Sequence, residues 1–157
     1  MNKKVTMQEL LPFIEEALNN DKTFTIPITG TSMLPLLVQG RDTVTLKKNV
    51  SPLKKGDLPL YRRKDGAFVL HRVVKVNEDG SYIMCGDNQF LKEKGITDEN
   101  IIGVVSEITR KGENFSVESK RYQFYVKLGL LLLNVRYPYK RLRYGLHLLK
   151  KLVTKKS

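Results

Sequence analysis

The fold class is decided by Leu58-Pro59-Leu60-Tyr61-Arg62-Arg63-Lys64-Asp65-Gly66-Ala67-Phe68-Val69-Leu70-His71-Arg72-Val73-Val74-Lys75-Val76-Asn77-Glu78-Asp79-Gly80-Ser81-Tyr82-Ile83-Met84. It divides into β runs over Leu58–Arg63, Ala67–Val76 and Ser81–Met84, rich in branched and aromatic residues that suit a pleated surface. The intervening Lys64-Asp65-Gly66 and Glu78-Asp79-Gly80 read as hairpin turns, because glycine tolerates the positive φ that such turns demand.

The same signals continue on both sides. Phe24–Ile28, Thr43–Leu46 and Ile101–Ile108 read as further strands, with breaks at Gly40–Asp42, Ser51–Gly56 and Gly86–Asn88. Residues 23–118 are therefore expected to form a compact, mostly antiparallel β domain. Residues 1–22 precede it as an amphipathic helix: Met7, Leu10, Leu11, Ile14 and Leu18 share one face, and Thr6 with Glu9 makes a capping-box pattern. Pro12 lies inside that helix and should kink it or shift its start. Residues 119–157 return to helical spacing. Tyr122, Tyr125, Val126, Leu128 and Leu130–Leu133 form one apolar stretch, Pro138 breaks it, and Tyr144, Leu146, Leu148, Leu149 and Leu152 form another among lysines and arginines.

The 157 residues suit one domain with an appendage, and 41% hydrophobic against 28% charged residues is enough for a core. Charge is uneven. Of 28 basic and 16 acidic residues, positions 120–157 hold 11 basic and no acidic ones, leaving a near-neutral body before them. One cysteine excludes an internal disulfide, and Cys85 reads as a small core side chain. With only two histidines beside it, no structural zinc site is expected, and no cofactor either. No segment reaches the roughly 20 apolar residues that span a bilayer; Val126–Val135 comes nearest and carries Lys127. No signal-peptide pattern opens the chain.

Three short segments carry possible chemistry. In Thr29-Gly30-Thr31-Ser32-Met33-Leu34-Pro35, a strand ends and Gly30 permits a tight bend. Ser32 then lies past the bend beside amide groups free of any ladder, which is what a serine nucleophile and its oxyanion need. Ser32 is equally read as an ordinary turn residue. His71 lies within an apolar strand, where burial demands a partner, so it is either a hydrogen-bonded structural residue or a base. Asp87, in Gly86-Asp87-Asn88, is a turn residue or a carboxylate that orients the imidazole. Asp57 reads as a turn residue, while Lys54, Lys55 and Lys64 read as solvated and His147 as solvated or interfacial.

Together the three segments resemble the signal peptidase and LexA-type serine peptidase superfamily. Ser32-Met33-Leu34-Pro35 is similar to its Ser-Met-x-Pro nucleophile box, and Gly56-Asp57-Leu58-Pro59-Leu60-Tyr61 to the strand start that follows. His71-Arg72 stands where bacterial signal peptidases and LexA-like proteins carry a catalytic Lys. With Gly86-Asp87-Asn88, that histidine is closest to the Ser-His branch, the endoplasmic-reticulum and SipW-like signal peptidases. The resemblance implies Ser32 as nucleophile, His71 as general base and Asp87 as its orienting acid. Gly30, Thr31, Met33 and Pro35 would line the oxyanion and substrate side. Leu36 departs from the Thr often found there, and Gly30 from the Ser that some members keep.

The implied activity is that of a serine endopeptidase acting on an extended protein or peptide segment, such as a signal or leader peptide. The other readings are a LexA-like self-cleaving regulator and a non-catalytic binding module on the same fold. A Ser32 Oγ within hydrogen-bond reach of His71, somewhat looser without substrate, is required. The basic residues of 120–157 could meet nucleic acid or an anionic membrane surface. The apolar faces and tyrosines favour lipid or a partner helix over nucleic acid, for which no module is legible, and the other reading is a pair of helices packed on the β body with a solvated basic face. A cytoplasmic place, peripheral on the membrane, is the corresponding expectation.

Overall fold

The computed structural model of the protein describes residues 5–50 and 52–133. The predicted second apolar stretch of the tail, with Tyr137, Pro138, Tyr139, Tyr144, His147 and Leu152, lies outside the described residues. Helix α1 spans Met7–Asn19 and opens on the predicted capping box, in which Thr6 and Glu9 bond reciprocally. It begins ahead of Pro12 and runs through it, so the proline does not move the start. Pro12 removes one backbone donor, while Ile14 and Leu18 hold the helix by burial in the main core beside Met7 and Leu10.

The strands are β1 (Phe24–Pro27), β2 (Thr43–Lys47), β3 (Pro59–Arg62), β4 (Phe68–Leu70), β5 (Arg72–Val76), β6 (Tyr82–Cys85), β7 (Glu93–Ile96), β8 (Ile101–Arg110) and β9 (Glu113–Ser116). One sheet has the order β1-β2-β8-β3-β4, with β9 also on β8; β5-β6-β7 form a second. Every pairing between them is antiparallel, as predicted. Both predicted turns form: Gly66 and Gly80 have φ of 86° and 80°, and Asp65 and Asp79 accept from the amides two residues on.

Two features depart from the sequence expectation. The single run Ala67–Val76 is broken at His71, because β4 pairs with β3 in the large sheet while β5 pairs with β6 in the small one. Strands β7 and β9 were absent from the expected set. Their sequences, Glu-Lys-Gly-Ile and Glu-Asn-Phe-Ser, are short and polar, and pairing rather than local preference makes them strands. The helix expected over the first apolar stretch of the tail does form, as α2, residues 120–133. Its Tyr122 and Val126 join the same core as α1, β1, β2 and β8, while a smaller core gathers Tyr61, Val73, Tyr82 and Met84.

The turn between the Ser32 segment and β2 is held by Asp42, which is 1% exposed. Its carboxylate accepts from Arg41, from the amide of Val38 at 2.8 Å and from the amide of Lys111 at 3.2 Å, joining this turn to the β8–β9 turn. The Arg41 hydrogen bonds hold its pKa down at about 2 against the opposing effect of burial, with the two amides contributing. Because the folded pKa lies below the ordinary 3.8, this stabilisation is present above that value and lost as pH falls toward about 2. Replacing Asp42 by Asn should lower stability by about 1–3 kcal/mol at neutral pH. Urea midpoints from pH 7 to 2 should show the two proteins converging in acid.

Candidate active site

Ser32 lies in the turn that follows β1, and its setting is built by backbone. Gly30 has φ of 77°, a left-handed conformation that a side chain would strain, and its N–H donates to Gln39 Oε1 at 2.9 Å. Beyond the serine, Met33, Leu36 and Leu37 are buried in the main core and anchor the turn from below. Met33 is thus a core residue and not part of a substrate surface: a large apolar side chain here secures the loop. Pro35 is exposed, and its carbonyl accepts from Arg110 Nη2 at 3.3 Å. Thr31 is exposed, with its carbonyl accepting from Leu34 and from Asn88 Nδ2. Ser32 itself is half-buried, and among the described residues neither its Oγ nor its N–H makes a hydrogen bond.

The Gly86-Asp87-Asn88 turn is laid directly on this segment. The Asn88 amide donates to the Ser32 carbonyl at 2.7 Å. A Cβ added at Gly86 would stand 2.7 Å from that carbonyl oxygen and 3.1 Å from Ser32 Cβ, so only glycine allows the approach. On the other side, β5 and β6 pair Arg72 with Cys85 and Val73 with Met84. Continued by one residue, that register would set His71 opposite Gly86. The missing Cβ thus brings the serine segment onto Gly86, one position beyond the Arg72–Cys85 pair.

His71 is 2% exposed. Its Nδ1 lies 3.2 Å from the Tyr61 hydroxyl and 3.1 Å from Glu93 Oε1. Glu93, at the start of β7, is gripped by Arg63 through Nε at 2.7 Å and through Nη2. A carboxylate only accepts, so the imidazole proton belongs on Nδ1 and the lone pair on Nε2. Nε2 has no hydrogen bond among the described residues, and none joins it to Ser32.

The resemblance assigns the orienting role to Asp87, but the structure gives both Asp87 oxygens to Arg72: Nε to Oδ1 at 2.8 Å and Nη2 to Oδ2 at 2.7 Å. The physical reason is burial. Arg72 is 3% exposed and needs a carboxylate close by, and Asp87 is the one β6 delivers. Asp87 still acts on His71 through space, favouring the imidazolium. The carboxylate at Nδ1 is Glu93, which sequence reasoning missed. In Lys92-Glu93-Lys94-Gly95 it reads as surface charge, and its partners lie 22 and 30 residues earlier at His71 and Arg63. No local signal in that segment could have found it.

The electrostatics follow. Burial pushes the His71 pKa below its ordinary 6.5; Glu93 opposes this and Arg63 adds to it. Burial also disfavours the Glu93 charge, yet hydrogen bonds from Arg63 and Tyr61 outweigh it and hold that carboxyl below its usual range. Tyr61 is driven up by burial and by Glu93, so its hydroxyl stays protonated. The net arrangement is a neutral imidazole whose Nδ1 faces Glu93 at 3.1 Å. Among the described residues, no group of His, Cys, Asp and Glu could hold a metal ion.

A strand-to-turn serine, a buried histidine and an antiparallel β body belong together in one class of serine peptidase folds. The model of the Peptidase S24-like family matches residues 2–106, and the chain belongs to that family, within the LexA and signal peptidase superfamily. No curated protein and no solved structure gives a significant match. Among the described residues, no helix is long and apolar enough to cross a membrane.

Gly86→Ala tests the packing of the Ser32 segment on Gly86. The added methyl must displace the Ser32 carbonyl or the turn, with a stability loss of about 1–3 kcal/mol. Thermal melts and peptide cleavage measured on the same protein should show activity falling further than the loss of folded protein explains. Unchanged melting and unchanged cleavage would mean that the two segments do not touch.

Proposed function

We propose that this chain is a serine endopeptidase in which Ser32 is the nucleophile and His71 the general base. What supports the reading is the packing of the Ser32 segment against Gly86, the position that the continued β5–β6 register would set opposite His71, with Glu93 Oε1 3.1 Å from the His71 Nδ1. Ser32 Oγ attacks the substrate carbonyl, His71 Nε2 takes its proton, and the same proton passes to the departing amine as the peptide bond breaks. Water then releases the acyl group by the same route. The Ser32 amide, unengaged among the described residues, supports the oxyanion, with the Thr31 side chain beside it. Glu93 fixes the imidazole, and Asp87 adds through-space stabilisation of the imidazolium.

His71 sits where the chain leaves β4, the last strand of one sheet, and enters β5, the first of the other. Each has one unpaired edge among the described strands, so an extended substrate segment can add as a strand beside the site. We take the signal peptidase type as the finer reading, because the base is a histidine followed by arginine. Small residues just before the cut are its corollary. A LexA-like protein that cleaves itself is the reading it displaces, since the position of that group's Lys base is His71 here.

Incubating the full chain with a mixed peptide library and reading new termini by mass spectrometry tests the activity. Wild type should generate cuts that Ser32→Ala lacks, with a loss of up to about 10⁶ in turnover where the triad acts as a unit. Identical fragment patterns would falsify the peptidase reading. The pH profile is a second check: activity needs neutral His71, so its acid limb should fall below pH 6.5. Glu93→Gln should cut turnover by about 10²–10⁴. It should also move that limb lower still, because the carboxylate that favours the imidazolium is gone while Arg63 remains. A limb that stays put would mean that Glu93 is merely structural.

A further inference from the structure

Helix α2 has two apolar faces, and among the described residues only one of them is covered. Tyr122 and Val126 point into the core with 4% exposure each, and Leu130 packs beside them. On the opposite side Phe124 is 69% exposed, Leu128 44%, Leu131 70% and Leu132 41%. At 100° per residue, positions 124, 128 and 131 fall within one narrow stripe and 132 at its margin. Lys120 and Lys127 line one side of that stripe and Arg121 the other, all three exposed. A chain that buries one helical face and leaves four large apolar side chains on the other has left a surface for something else.

Charge says what that something is. From residue 120 onward the sequence holds eleven Lys and Arg and no Asp or Glu. A protein partner of ordinary composition does not select such a one-sided balance, whereas an anionic lipid surface attracts each cation independently. A narrow apolar stripe flanked by lysine and arginine is also the geometry of a helix lying in the interface plane, with Phe and Leu between the acyl chains. We propose that α2 is a peripheral membrane-docking helix that seats Phe124, Leu128, Leu131 and Leu132 in an anionic leaflet. The inference stands independently of the peptidase chemistry, because none of these side chains belongs to the Ser32 site.

The test is co-flotation of the full chain with phosphatidylcholine vesicles, either pure or carrying about one-third phosphatidylserine. Wild type should float with the anionic vesicles only. Raising salt from about 0.1 to 1 M shortens the screening length from about 10 to 3 Å and should strip most of it off. The double variant Phe124→Ser, Leu131→Ser should bind at least about tenfold more weakly, since two large side chains lose their burial. Both positions face away from the core, so an unchanged melting curve certifies that the variant is folded. Equal flotation of variant and wild type would overturn the proposal, as would equal binding to neutral vesicles. So would a wild type that fails to float and runs as a dimer that the double variant dissolves, because the stripe would then seat a second copy. Loss of melting temperature in the double variant, with no flotation of wild type, would overturn it too, by showing the stripe covered within the chain.

Discussion

The buried pair of Arg72 and Asp87 is the contact on which the rest of the structure depends. A guanidinium with 3% exposure is tenable only when its donors are answered, and here they are. Nε and Nη2 go to Asp87, and Nη1 goes to the Gly56 carbonyl at 2.9 Å and the Tyr122 hydroxyl at 3.0 Å. Its charge also lies 5.7 Å from the Tyr122 ring centre. Four separate parts of the chain therefore meet at one side chain: β5, the turn after β6, the turn before β3, and α2. His71 is the neighbour of that residue, and Gly86 the neighbour of its acid. Holding the pair fixes how far apart those two neighbours can be. Removing either partner of such a pair typically costs about 3–5 kcal/mol, so an Asp87 variant reports on folding before it reports on chemistry.

A consequence is that the molecule separates two jobs often assigned to one acid. Asp87 pairs with Arg72 and accepts from the Tyr125 hydroxyl at 3.4 Å, and a second carboxylate, Glu93, lies 3.1 Å from the imidazole Nδ1. Each acid is itself neutralised by an arginine, Arg63 for Glu93 and Arg72 for Asp87. With both charges answered, burial dominates at His71 and keeps the ring neutral, the state in which it can accept a proton. The Tyr61 hydroxyl, kept protonated by the same surroundings, closes the cluster by donating to Glu93. The site thus sets a tautomer by geometry and a protonation state by desolvation, two separate physical causes.

Much of the scaffold was legible because its signals are local. Thr6 with Glu9, Asp65-Gly66 and Asp79-Gly80 act within four residues, and each forms as its chemistry predicts. Asp57 is a turn residue, its carboxylate accepting from the Lys54 amide at 2.7 Å, and Cys85 is buried. The illegible parts are those decided across the fold. Phe68-Val69-Leu70-His71-Arg72-Val73-Val74 reads as one strand because nothing in it announces that its halves belong to different sheets. Met33 sits inside a motif and yet serves the core. Glu93 is invisible because a carboxylate between two lysines looks solvated until Arg63 and His71 are brought to it. Ser32 and His71 could be singled out as candidates from their segments, but not the carboxylate that faces the ring, since that depends on which arginine pairs with which acid.

Helix α2 ties this site to the outside of the molecule. The family match ends at residue 106, yet Tyr122 and Tyr125 from beyond it contact Arg72 and Asp87, at 3.0 and 3.4 Å. The helix therefore packs onto the Arg72–Asp87 pair. Its inner face cannot shift without loosening the Arg72 donors, and its outer face is the one left open.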